Sequence, residues 1–151
     1  MYHYLVRRVL RATYAGLNQG NIVAVTGKLA ADAEHYFIGQ HALSGTRRSH
    51  ATIYRWYERL LLVFPDIQFQ LHRIRVAGPP WRTVAIIEWS ETNTGTDGIP
   101  THNDGVNVVE ICWGKVRQIR IYTDTERLAT TLTRLTAAGN LEANAAPILD
   151  G

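Results

Sequence analysis

Four residues have side chains and neighbours suited to moving a proton or to holding a carbonyl oxygen. His35 lies in an extended segment, Ala33 to Ile38, on the side expected to face inward with Phe37. It is either a buried neutral imidazole bonded to a backbone carbonyl or a proton shuttle paired with Asp124 or Glu91. Glu91 shares a strand face with Trp89 and Ile87. Either that whole face lines a pocket, or Glu91 already lies past the sheet edge in water. Asn107 alternates with Val109, and an inward amide there can hold a carbonyl oxygen without titrating or be satisfied within the structure. Asp124 directly precedes a helical stretch as Asp-Thr-Glu, a placement that suits an N-cap as well as an acid or base.

Other spacings exclude several chemistries. His41, His50, His72 and His102 form no H-x-H or H-E-x-x-H pattern, so no metal site is expected. There is no P-loop, no Rossmann glycine fingerprint and no G-x-S-x-G elbow, and no cofactor is expected. Cys112 is the one cysteine. It can form no internal disulfide, and a reducing cytoplasm is the expected compartment.

The elements that must position these residues follow from periodicity. Leu5, Val6, Val9, Leu10, Thr13 and Leu17 recur at helical spacing and predict a helix over residues 3–18. A second helix is expected from Asn21 to about Ala31, then the extended segment, then a loop from Gly39 to Thr46. Ile53, Trp56, Tyr57, Leu60, Leu61 and Phe64 mark a third helix. The period then changes to two: Ile67, Phe69 and Leu71 alternate, and Ile74 and Val76 resume out of phase, which predicts a bulge near His72. Further strands are expected at about 81–92, 106–111 and 116–123, the last two joined by a turn at Trp113-Gly114. A closing helix spans about 125–138, and residues 140–151 read as a poorly structured tail behind a single domain of residues 1–139. Tyr14 and Tyr57 sit on apolar helix faces as core or as ligand contacts. Arg120 and Tyr122 share a strand face that points either into the concavity or onto the outer sheet surface.

This order of elements is an α+β arrangement. The chain has 151 residues, 46% of them apolar, enough for one buried core. Its longest apolar runs, such as Leu60 to Phe64, are far short of the roughly 18 to 20 residues of a membrane span. The net charge is +3, but residues 1–60 carry eight basic and three acidic groups while 83–114 carry five acidic groups and no Lys or Arg. That polarity argues against one continuous phosphate-binding stripe, so neither nucleic acid nor membrane is an expected partner.

Four segments carry a family resemblance: Tyr14-Ala-Gly-Leu-Asn-Gln-Gly-Asn21; Leu29-Ala-Ala-Asp-Ala33; Phe64-Pro-Asp-Ile-Gln-Phe69; and Gly105-Val-Asn-Val108 with Gly114-Lys-Val116 and Tyr122-Thr-Asp-Thr125. In order and spacing the chain resembles the SnoaL-like, ketosteroid-isomerase-like and limonene-epoxide-hydrolase-like proteins of the nuclear-transport-factor-two cone fold. The resemblance implies a curved, mostly antiparallel sheet wrapped by three N-terminal helices around a central pocket, with a C-terminal helix. It also implies a homodimer through the sheet and a small apolar organic ligand.

Matched to the ketosteroid isomerases, Thr13 stands at the oxyanion-hole tyrosine, Asn107 at its acidic partner and Phe37 at the base, and a phenyl ring cannot abstract a proton. Matched to the epoxide hydrolases, Glu91 and Asp124 stand at the two carboxylates and Trp89 at the arginine between them. His35 and Phe37 stand there at the tyrosine and the asparagine. Matched to the SnoaL-like cyclases, Asp124 stands at the acid/base position. The resemblance thus implies Asp124, His35 and Glu91 as catalytic candidates, with Asn107, Trp89, Phe37, Tyr14, Tyr57, Tyr122 and Arg120 around a ligand. The reaction it implies is cofactor-independent isomerisation, aldol cyclisation or hydration. A non-catalytic ligand-binding or interaction module is the other reading, because this fold hosts both.

Overall fold

Val6, Leu10, Tyr14 and Leu17 occupy one stripe of the first helix, α1 (Tyr2–Asn18), and all four are buried. In the computed structural model, which describes residues 1–150, that stripe lies against the inner face of a curved sheet. Asn18 ends α1 and ties it to the sheet: its amide donates to the Phe69 carbonyl at 2.9 Å and its oxygen accepts the Phe69 N–H at 2.8 Å. An edge strand is thereby partly satisfied by a side chain.

The second helix, α2 (Val23–Thr26), is a single turn rather than the longer helix expected to Ala31. Gly27 caps it, and the Lys28 carbonyl then accepts from Val116 N at 2.8 Å. Sheet pairing captures the chain there, so β1 (Leu29–Phe37) starts four residues before the extended segment read from the sequence. The expected loop after it contains a short strand, β2 (Gly45–Arg47), antiparallel to β1.

Helix α3 (His50–Val63) begins at Ser49, whose hydroxyl accepts the Thr52 N–H. It buries Ile53, Trp56, Tyr57, Leu60 and Val63, each such large apolar side chain being worth about 1.5–3 kcal/mol. Then come β3 (Gln68–Ala77), β4 (Thr83–Asn93), β5 (Thr101–Cys112) and β6 (Lys115–Thr123), and last α4 (Thr125–Ala137). The sheet order is β2-β1-β6-β5-β4-β3, antiparallel except for the parallel β1–β6 pair. The β3–β4 register jumps between Leu71 and Arg73, which places the bulge at His72. Trp113 and Gly114 both take positive φ, 50° and 78°, as a two-residue hairpin matched to sheet twist requires.

Residues 141–150 depart from the expected unstructured tail. Leu141–Asn144 form a 3-10 turn with Ala143 buried, and Ile148 is buried further on. The Arg59 guanidinium donates to the Ala42 and Ala146 carbonyls and pairs with Glu142 at 2.8 Å. Arg47 donates through Nε to the Ile148 carbonyl at 2.9 Å. Asp150 accepts from the N–H groups of Arg48 and Ser49 and from the Thr52 hydroxyl at the start of α3. The segment is a strap, because buried guanidiniums need acceptors and its carbonyls supply them.

Candidate functional site

Alternation along the strands turns Ile87, Trp89 and Glu91 of β4, Asn103, Asn107 and Val109 of β5, and Ile119 and Ile121 of β6 to the inner face, and all are buried. With α1 and α3 they enclose a cavity offering about 100 Å³ to the centre of a water-sized sphere, room for several waters or part of an organic ligand. Its walls are mostly apolar and aromatic, including Phe37, Trp56, Tyr57, Phe69 and Trp89.

A hydrogen-bonded chain crosses one wall. Trp89 donates from Nε1 to Asn107 Oδ1 at 2.9 Å, and Asn107 donates from Nδ2 to the Tyr14 hydroxyl at 2.6 Å. Since Tyr14 accepts in that bond, its own O–H is left to donate. Burial, and secondarily Tyr57, push the Tyr14 phenol above its ordinary value, so it stays a neutral donor. Tyr57, also on the wall, is raised by burial against the opposing charge of Arg47. Trp89 reaches this position because Gly105 opposite it has no side chain. A Cβ there would overlap the indole, 2.6 Å from Cη2, and lie 2.7 Å from the Tyr122 carbonyl oxygen.

Glu91 is the carboxyl of the cavity, 7% exposed. Burial raises it to about 7, with the Asn93 amide opposing and the charges of Asp104 and Asp66 adding to the rise. Asn93 donates to Oε2 at 2.9 Å, and no described residue donates to Oε1. Across the β4–β5 ladder Glu91 faces Asn103, a cavity residue absent from the candidates read off the sequence. Its amide donates to the Asp124 carbonyl. Had β5 been extended back to Thr101, the alternation Asn103, Gly105, Asn107 would have placed Asn103 on this face.

The other candidates lie elsewhere. Asp124 caps α4, accepting the Arg127 N–H at 3.0 Å, with a half-exposed side chain outside the cavity wall. His35 is fully buried but stands behind the wall, its ring 4.4 Å from that of Trp56 and 5.4 Å from that of Tyr57. Its Nδ1 accepts from Arg47 Nη1 at 2.6 Å, so the expected meeting of His35 with Asp124 or Glu91 is replaced by contact with a buried guanidinium. Burial first, then Arg47, hold the imidazole well below its ordinary value and hence neutral. Its Nε2 has no partner among the described residues. Arg47 itself is pushed down to about 10, chiefly by burial.

Arg120 and Tyr122 point to the outer sheet face, because the buried positions of β6 are Ile119 and Ile121. Asn107, Trp89, Phe37, Tyr14, Tyr57 and Glu91 are therefore brought together, and Asp124, His35, Arg120 and Tyr122 are not. Among the described residues no three His, Cys, Asp or Glu side chains gather as metal ligands, and no helix is long and apolar enough to cross a membrane.

A curved sheet closed by helices over a mostly apolar cavity defines a pocket protein of the nuclear-transport-factor-two cone type. The family model described as the SnoaL-like domain matches residues 10–119, and the chain belongs to this family. No curated protein matches the chain in sequence. Solved structures resemble it in fold at low identity. An NTF2-like protein of unknown function from Burkholderia pseudomallei K96243 is 14% identical over 83% of this chain and 95% of that one, with a TM-score of 0.74. PrhC from Penicillium brasilianum NBRC 6234 is 12% identical over 90% and 91%, with a TM-score of 0.76. A protein with a ketosteroid isomerase-like fold from Catenulispora acidiphila DSM 44928, in complex with trimethylamine, is 16% identical over 85% and 92%, with a TM-score of 0.68. Such likeness establishes the fold alone.

Proposed function

We propose that the cavity binds a small, largely apolar organic molecule and transfers a proton on it without a cofactor. The observation that carries this reading is Glu91, a buried carboxyl on an apolar cavity wall with one oxygen free of protein donors and a pKa raised to about 7. A carboxyl tuned toward the working pH is suited to both take and return a proton. As carboxylate, Glu91 removes a proton from carbon next to a carbonyl. The Tyr14 O–H donates to the carbonyl oxygen as charge develops on it, and the Asn107 amide holds that hydroxyl in place. Protonated Glu91 then returns the proton to another carbon, completing an isomerisation, or the enolate carbon attacks a second carbonyl in an aldol step and Glu91 gives its proton to the alkoxide that forms. Asp124 acts as a helix cap, and neutral His35 acts as a packing partner behind Trp56 and Tyr57.

The test is deuterium incorporation from D₂O into a panel of enolisable ketones and enones. Exchange with the wild-type protein should fall by about two orders of magnitude or more in Glu91→Gln and by at least tenfold in Tyr14→Phe. Ligand binding with no exchange, or exchange indifferent to Glu91→Gln, would hand the site to the second reading, a non-catalytic binding module. The cap role of Asp124 favours that second reading, since it leaves Glu91 as the one carboxyl on the wall among the described residues. The Catenulispora structure, in complex with trimethylamine, supports ligand binding by this fold.

We further propose a cytoplasmic homodimer paired through the outer sheet face. Ile86 and Tyr122 are 39% and 36% exposed there, and the Nε of Arg120 is buried without an acceptor among the described residues.

A further inference from the structure

Among the described residues the cavity wall carries two charged ones, Glu91 and Lys28, and strand register sets them toward opposite ends of the sheet. Lys28 precedes β1, whose first residue Leu29 pairs with Val116 of β6. Glu91 pairs with Asn103, two residues past Gly105, which faces Thr123 at the far end of β6. The seven residue-to-residue steps of the strand from Val116 to Thr123 span roughly 23 Å. Between the two ends the wall is aliphatic and aromatic, with Leu10, Leu17, Trp56, Leu60 and Val109 among its residues.

The backbone of Lys28 is fixed on both sides, by Val25 O on its N–H and by Val116 N on its carbonyl. Its ammonium has no ion pair or hydrogen bond among the described residues, although acidic side chains lie close in sequence. Asp32 is bound to Arg117 at 2.6 Å, and Glu34 is bound to Arg48 and Gln118. The carboxylates of β1 are therefore engaged elsewhere, and the half-buried Lys28, a residue of the cavity wall, has no counterion among the described residues.

We propose that Lys28 selects ligands bearing an anionic group, so that the cavity takes an amphipathic acid: an apolar body whose charged end lies at Lys28 and whose other end meets Glu91 and Tyr14. The proposal rests on the reading of this cavity as a ligand site, but not on catalysis by Glu91. Two features fix the ligand's direction. An anion is attracted to Lys28 across low-dielectric walls and repelled by a second carboxylate at the other end. The Lys28 stem covers apolar surface in either case, so a lysine that merely shields the cavity would leave ligand choice unaffected.

Decanoate and decan-1-ol, matched in chain length and differing in charge, separate these roles, with the fluorescence of Trp56 and Trp89 on the cavity wall reporting occupancy. Wild-type protein should bind decanoate about tenfold more tightly than the alcohol. Lys28→Met should abolish that preference by weakening decanoate alone, and Lys28→Arg should restore it. Lys115→Met, which removes the same charge from the exposed first residue of β6, should keep it. Preference retained in Lys28→Met, or lost equally in Lys115→Met, overturns the assignment. Alcohol binding without acid preference in the wild type overturns the role of Lys28 alone, whereas failure of both probes to bind overturns it together with the cavity reading beneath it.

Discussion

A carboxyl lifted by burial from 4.5 to about 7 favours its protonated form in the folded state, and stability must follow pH accordingly. The contribution of Glu91 is fully present below about pH 4.5 and is lost as pH rises through about 7. Glu91→Gln, neutral throughout, should remove this dependence. The stability of wild type relative to the variant should drop by up to about 3 kcal/mol between pH 4.5 and pH 8, read from denaturant unfolding across that range. The chain from Trp89 through Asn107 to Tyr14 calls for a different measurement. Tyr14→Phe leaves a buried amide proton without its acceptor and should cost about 1–3 kcal/mol. Because Asn107→Ala removes the same bond, the double variant should lose clearly less than the sum of the single losses. Gly105→Ala sets a Cβ against the Trp89 ring and the Tyr122 carbonyl. It should destabilise by about 1–3 kcal/mol and shift indole fluorescence as the ring is displaced.

At the scale of elements, the two ends of α4 divide the candidate residues from the strap. Asp124→Ala removes the α4 cap and should cost about 1 kcal/mol, whereas Asp124→Asn should retain most of the stability and all of the ligand binding. Loss of binding in Asp124→Asn would return that carboxylate to the site. Beyond α4, the strap supplies acceptors to Arg47 and Arg59, and the same guanidiniums hold the carbonyls of Ser44 and Ala42 on either side of Leu43, a cavity residue. Ending the chain after Asn140 leaves both cations without part of their acceptors. It should lower the midpoint of thermal unfolding more than Asp124→Ala does and weaken ligand binding as well. None of this was visible in the polar, alanine-rich sequence of residues 140–151, since the stabilising partners are two arginines about a hundred residues earlier. Helices α1 and α3 were legible because each carries its own apolar stripe, and the His72 bulge because the period slips within a single strand.

For the whole molecule, the outer sheet face makes oligomeric state a direct test of the proposed homodimer. Sedimentation should give a dimer, and Ile86→Glu should convert it to monomer while leaving the inner cavity intact, because Ile86 and Ile87 lie on opposite faces of β4. Local pattern was enough to give the α+β order, the shared strand face of Trp89 and Glu91, and the family motifs, since these depend on spacing along one segment; that this face lines the cavity out to Glu91 was decided by the closed fold. Contacts between distant segments decided the rest. They put Arg47 rather than a carboxylate beside His35, made Asp124 a cap, sent Arg120 and Tyr122 outward, and placed Lys28 and Glu91 on one cavity wall toward opposite ends of the sheet. Periodicity records which side of an element is buried; the partner waiting on that side, and therefore the charge and hydrogen bonding of each buried group, exists only once the sheet has curved and the helices have closed over it.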